Sequence, residues 1–155
     1  MSSSRFSIST STRIAHYWIP VLIMLVFQYT FSTGSFSSSE TSRFIDPILR
    51  FIIRNPTPEQ LLFWHHVIRK GAHVTEYCIL GVLVYRAFRL DVSRTVIVSV
   101  LTMLFVAVAA MMDEFHQSFV PSRGSSMIDV GWDCIGGLIS LTLSWIWSVP
   151  RDVEE

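Results

Sequence analysis

The chain is short of charge. Only 15% of its 155 residues are Asp, Glu, Lys or Arg, half are hydrophobic, and the mean hydropathy is +0.46. Twelve acidic groups offset twelve basic ones, so the basic stripe that nucleic-acid binding needs is missing and no nucleic-acid partner is expected. Cysteine is nearly missing too. Cys78 and Cys134 each fall inside an apolar run, where a buried free thiol is the ordinary reading and nothing identifies a redox compartment. No internal repeat is evident.

What the chain has instead is lipid-compatible length. A helix of roughly 20 apolar residues crosses a hydrocarbon core about 30 Å thick. Four segments qualify, approximately Ile14 to Phe31, Gly71 to Leu90, Thr95 to Met112 and Asp129 to Val149. The expected fold is all-α: a polytopic integral membrane protein built as a four-transmembrane-helix bundle over residues 14–150, after a disordered, polar leader at 1–13. The first run, "STRIAHYWIPVLIMLVFQYTF", is long for a signal peptide and has no small-residue cleavage site after a short apolar core. It is read as retained.

About 40 residues separate the first two runs, more than compact connections usually need. Within them, Asp46-Pro47 reads as an N-cap and first helical position and Asn55-Pro56 as a stop. Around the resulting short helix, near Asp46 to Arg54, Arg43, Arg50 and Arg54 fall near one side by helical spacing and Phe44, Ile48, Phe51 and Ile52 supply apolar surface, the pattern of an interfacial amphipathic helix. Thr57 and Gln60, with Pro58 between them, have capping-box spacing and start a new helix that can run into the second span. His65-His66 reads as interfacial, and Trp132, Trp145 and Trp147 as interface or packing aromatics.

Basic residues fall evenly on the two sides of such a bundle. The rule that cytoplasmic loops are basic weighs short loops most, and "RAFRLDVSR" holds three arginines. That favours N- and C-termini in the cytoplasm of a cell-membrane protein. The loops after the first and third spans share a side under either orientation.

The remaining charges gather by helical geometry, each residue advancing about 100° around its axis. Lys70, His73 and Tyr77 share a face with Glu76 beside it. Asp113, His116 and Gln117 share another, with Glu114 turned aside. Asp129, Asp133, Gly136, Ser140 and Ser144 form a stripe on the last span. Glu76 lies ten residues from Arg86, so it sits roughly 15 Å deep. A charge at mid-membrane costs about 3 kcal/mol even on a lenient scale, so such groups face the bundle interior and are functional candidates. The polar faces are expected to meet in a pocket between the second, third and fourth spans that opens outward.

These residues also carry a resemblance. "RKGAHVTEYCILGVLVYRAF", "DEFHQSFVPSRGSSMIDVGWDCIGG" and "TFSTGSFSSSETS" resemble the VanZ-like membrane protein family, named for a protein associated with teicoplanin resistance. The patterns K-x-x-H-x-x-E-Y and D-E-x-H-Q-x-F-x-P-x-R, followed by D-x-x-x-N-x-x-G, map onto Lys70, His73, Glu76, Tyr77, Asp113, Glu114, His116, Gln117, Pro121, Arg123, Asp129 and Gly136. Asp133 stands where the pattern usually has Asn. The resemblance implies a cell-envelope protein and no particular reaction, so whether the chain is an enzyme stays open.

Three readings compete. In the first, the pocket binds or processes an amphipathic envelope ligand, a lipid-linked precursor or a lipoglycopeptide. Arg69, Lys70 and Arg123 would meet phosphate or carboxylate. His73, Glu76, Asp113 and His116 are then the candidates for proton transfer, and Tyr77, Glu114, Gln117, Asp129 and Asp133 complete the ligand contacts. In the second, those four candidate catalytic residues hold a divalent metal, as i, i+3 pairs on neighbouring helices can. No cofactor is otherwise expected. In the third, the charges only neutralise one another and fix helix register. Membrane lipids are partners under all three.

Overall fold

The computed structural model describes residues 10–33, 38–120 and 125–148, and all secondary structure among them is helical. Five helices follow in order: α1 (Thr10–Ser32), α2 (Ser38–Ile53), α3 (Pro58–Phe88), α4 (Thr95–Gln117) and α5 (Met127–Ser148). Three of them, over Ser11–Ser32, Thr95–Gln117 and Met127–Trp147, are long and apolar enough to cross a membrane. α3 is longer still at 31 residues, but Lys70, His73, Glu76 and Arg86 interrupt its apolar character. The least apolar of the long helices is also the central one: α3 packs against α1, α2, α4 and α5.

Contacts fix the helix directions. Lys70 meets Asp129 and His73 meets Asp133, so α3 and α5 run parallel. Trp18 packs at a tilt on Phe105 near the middle of α1 and α4, while Ser32 meets His116 at their C-terminal ends, so those two run parallel as well. Trp18 also packs edge-on against Phe88 at the far end of α3 (5.5 Å, 87°), which sets α3 against α1. The chain therefore alternates up and down through α1, α3, α4 and α5, and the ends of α1 and α4 share one end of the bundle. Outward-facing Leu22, Ile23, Val26, Val96, Val100, Leu104, Trp145 and Ile146 are all more than half exposed, the surface an apolar solvent would cover.

The start of α3 follows the sequence closely. The Thr57 hydroxyl accepts from the Gln60 amide at 3.3 Å and the Gln60 side chain accepts from the Thr57 amide at 2.9 Å, a complete capping box with Pro58 at the first position. α2 departs from expectation. It begins at Ser38 rather than at Asp46, and Pro47 lies inside it. One intrahelical hydrogen bond is forgone at the proline, and Asp46 is no N-cap because it lies mid-helix; its carboxylate reaches across to His65 Nε2, 2.6 Å away. That clasp, with Leu49 buried, docks α2 on the first turns of α3. The expected stop is present: α2 ends at Ile53, and Arg54 and Asn55 take positive φ (48° and 59°) ahead of Pro56. The expected leader falls partly outside the described residues, and α1 starts at Thr10.

Candidate functional site: a buried charge seam beside an apolar groove

Close approach of α3 and α5 comes from small residues. A Cβ on Gly136 would run into the Val74 carbonyl and lie 3.0 Å from the Cys78 nitrogen, and one on Gly81 would overlap Ser140. Ser140 satisfies its own hydroxyl by donating to the Gly137 carbonyl at 2.6 Å. Where backbones come this near, side chains one turn away are forced together. Of the expected stripe, Asp133, Gly136, Ser140 and Ser144 are buried and Asp129 is half-buried.

Two rungs of charge cross this seam. The Lys70 ammonium donates to Asp129 Oδ1 while lying 6.0 Å from the Trp132 ring. A turn further in, His73 Nδ1 is 3.3 Å from Asp133 Oδ1, without the alignment of a hydrogen bond. Asp133 has no exposed surface, and both of its carboxylate oxygens lack a hydrogen-bond partner. α4 supplies a third acid. Gln117, itself fully buried, donates through Nε2 to Asp113 Oδ2 at 2.7 Å and accepts from Arg69 Nη2 at 3.4 Å. Donor atoms of His73, Asp113 and Asp133 all lie within 4.8 Å of one another. Tyr77 is buried a turn further along α3.

Other candidates have different surroundings. Glu114, expected to turn aside, is buried and accepts the Ser126 amide at 2.6 Å, so it anchors the approach to α5, where a negative charge suits the helix N-terminus. Glu76 is half-buried on α3. His116 points away from the seam toward α1, with Nδ1 3.5 Å from Ser32 Oγ and its ring 4.5 Å from that of Tyr29. Arg123, with Pro121 and Gly124, lies outside the described residues.

A cavity of about 830 Å³ lies on the α1 side of α4, a different place from the expected pocket between α3, α4 and α5. Its long wall is α4: Leu101, Leu104, Phe105, Val108, Met112 and Phe115. Leu25, Gln28 and Tyr29 of α1 face them, and Tyr77, Asp113 and His116 close one end. Asp113 thus belongs both to this groove and to the charge seam. Gln28 is 7% exposed with an unpartnered Nε2. The contribution of α1 was missed from sequence, and its one signal is the polar Gln28-Tyr29 inside an otherwise apolar span.

A family model described as VanZ/LLP1 matches residues 13–148. The chain belongs to the VanZ/LLP1 family. No curated protein and no solved structure matches it. In this VanZ-family chain the resembled motif residues fall on both sides of α4: Lys70, His73, Asp113 and Asp129 in the seam, His116 in the groove.

Proposed function

We propose that this VanZ-family protein spans the cytoplasmic membrane four times and binds an amphipathic envelope ligand, its chain in the α1–α4 groove and its head at the Asp113 and His116 end. The alternating directions of α1, α3, α4 and α5 support four spans, with the amphipathic α2 at the interface and both termini in the cytoplasm. The observation that carries the binding reading is the groove itself: a long apolar channel with two titratable groups, Asp113 and His116, set among Phe115 and Phe119 toward one end. From Leu101 to the Asp113 and His116 end, its α4 wall runs roughly 18 to 22 Å at 1.5 Å per residue. One leaflet offers only about half of a 30 Å core. A chain that fills the groove is therefore longer than an ordinary leaflet lipid's tail, which favours a lipid-linked envelope precursor over a short-tailed lipoglycopeptide. At the head, His116 and the Gln28 amide offer hydrogen bonds; Arg123, which matches the family motif and lies outside the described residues, is a further candidate to meet phosphate. The family's namesake association with teicoplanin fits a protein that handles molecules of this shape.

The test is native mass spectrometry of the detergent-purified chain, with added polyprenyl-phosphate or teicoplanin. Polyprenyl-phosphate is expected to bind the wild type and to be lost in Ala109→Trp, which fills the groove. Teicoplanin binding alone would assign the lipoglycopeptide as the ligand, and binding of neither would overturn the reading. In cells that the wild type protects from teicoplanin, Glu76→Gln and His116→Gln are expected to fold normally and to protect less; full protection by both would favour a purely structural role for the charges.

A further inference from the structure

The seam contains an arrangement that neutralisation does not explain. Asp133 is fully buried and both of its oxygens lack hydrogen bonds, as does the buried His73 Nδ1 beside it. A buried carboxylate in such a place is expensive, because burial removes its water and its neighbour, His73 Nδ1 at 3.3 Å, makes no aligned hydrogen bond in return. Lys70 is engaged by Asp129, and Arg69 reaches the cluster through the Gln117 amide rather than directly.

We propose that His73, Asp113 and Asp133 form a binding site for a divalent transition-metal cation. The three bring one imidazole and two carboxylates from three different helices, with donor atoms within 4.8 Å of one another; a small closing of the side chains reaches metal–ligand distances of about 2.1 Å. Two carboxylates and a dication are neutral together, which removes the electrostatic objection to the buried acids. Mixed nitrogen and oxygen donors favour Zn²⁺ or Mn²⁺ over Ca²⁺, which takes oxygen, and over Cu⁺, which takes sulfur. Around the site, Gln117 has the form of an outer-shell orienting residue: it fixes one Asp113 oxygen and leaves the carboxylate a second oxygen to offer. Three protein ligands leave further coordination positions vacant for water or another ligand. Because Asp113 also closes the groove, a cation here would turn an acidic head site into one that attracts an anionic head group, a consequence that rests on the groove reading.

The measurement is metal content and thermal stability of the full chain, purified in detergent, stripped with chelator and re-supplied with Zn²⁺ or Mn²⁺ alone. The wild type is expected to retain about one equivalent after desalting and to unfold at higher temperature with metal. His73→Gln and Asp133→Asn are expected to lose both properties, Gln117→Met to weaken binding about 10-fold, and Asp46→Asn, far away on α2, to bind as the wild type does. Should Asp133→Asn not fold, His73→Gln and Asp113→Asn decide. A stripped wild type that takes up neither metal, or His73→Gln and Asp113→Asn variants that still hold a full equivalent, would overturn the site. Neither outcome depends on any lipid, so this proposal can fail while the groove reading stands.

Discussion

The α3–α5 seam and the α1–α4 groove lie on opposite sides of the same charged turn of α4, and they are built by opposite means. In the seam, Gly81, Gly136 and Ser140 let two helices approach until a Cβ no longer fits, and the polar stripe is buried from Asp133 to Ser144. In the groove, Tyr29, Phe105, Met112 and Phe115 line open space between α1 and α4. Small residues bring charges together here, and large ones border room for something else. The seam's packing is therefore specific to its residues, whereas the groove tolerates substitution until its space is filled.

Gly136→Leu should break the comparison most severely. Its side chain would enter the Val74 carbonyl, and since backbone cannot step aside cheaply the expected loss is about 3 kcal/mol or more, read as a collapse of monodisperse protein on gel filtration in detergent. Lys70→Met comes next. With the two side chains 35% and 22% exposed, solvent screens part of the pair, and a loss of about 1 kcal/mol is expected. The Lys70→Met, Asp129→Asn double variant should recover most of that in thermal unfolding, and a double variant worse than either single one would mean that the pair is not a unit. His65→Ala should release only α2, raising hydrogen exchange over Ser38–Ile53 roughly 5-fold for a bond worth about 1 kcal/mol, with α4 and α5 unchanged. Smallest is Gly71→Ala. Nothing lies within 4 Å of the place its methyl group would take, so better helix propensity should stabilise the chain slightly, by up to about 1 kcal/mol, on the same helix where Gly81 tolerates no such change.

Local chemistry was the most legible part of the sequence. The Thr57–Gln60 capping box, the stop at Asn55-Pro56 and the buried stripe of α5 depend on residues a few positions apart, and the chain determines them directly. Asp46-Pro47 misled because a capping residue and a proline that simply sits inside a helix look alike until the partner is known, and the partner, His65, is 19 positions away. His116 shows the limit for the site. On a helical wheel it is about 60° from Asp113, close enough to share a face, yet Asp113 meets the seam and His116 meets α1. A wheel gives rotation about one axis, and the neighbour on each side is a property of the bundle. Asp133 was legible as a departure from the family pattern; that it would be buried with no hydrogen bond to either oxygen was not.

The central place of α3 has a consequence for how the molecule is made. α1, α4 and α5 are apolar enough to partition into lipid on their own, whereas α3 carries Lys70, His73, Glu76 and Arg86 through its length, and the counter-charges it needs at Asp113, Asp129 and Asp133 are all synthesised after it. On the four-span reading, the second membrane helix to leave the ribosome is the last to settle. Until α5 emerges it is a poorly inserted segment held between two strong ones, so a ribosome stalled before residue 127 should leave a chain that membrane quality-control proteases recognise, and the completed chain should escape them.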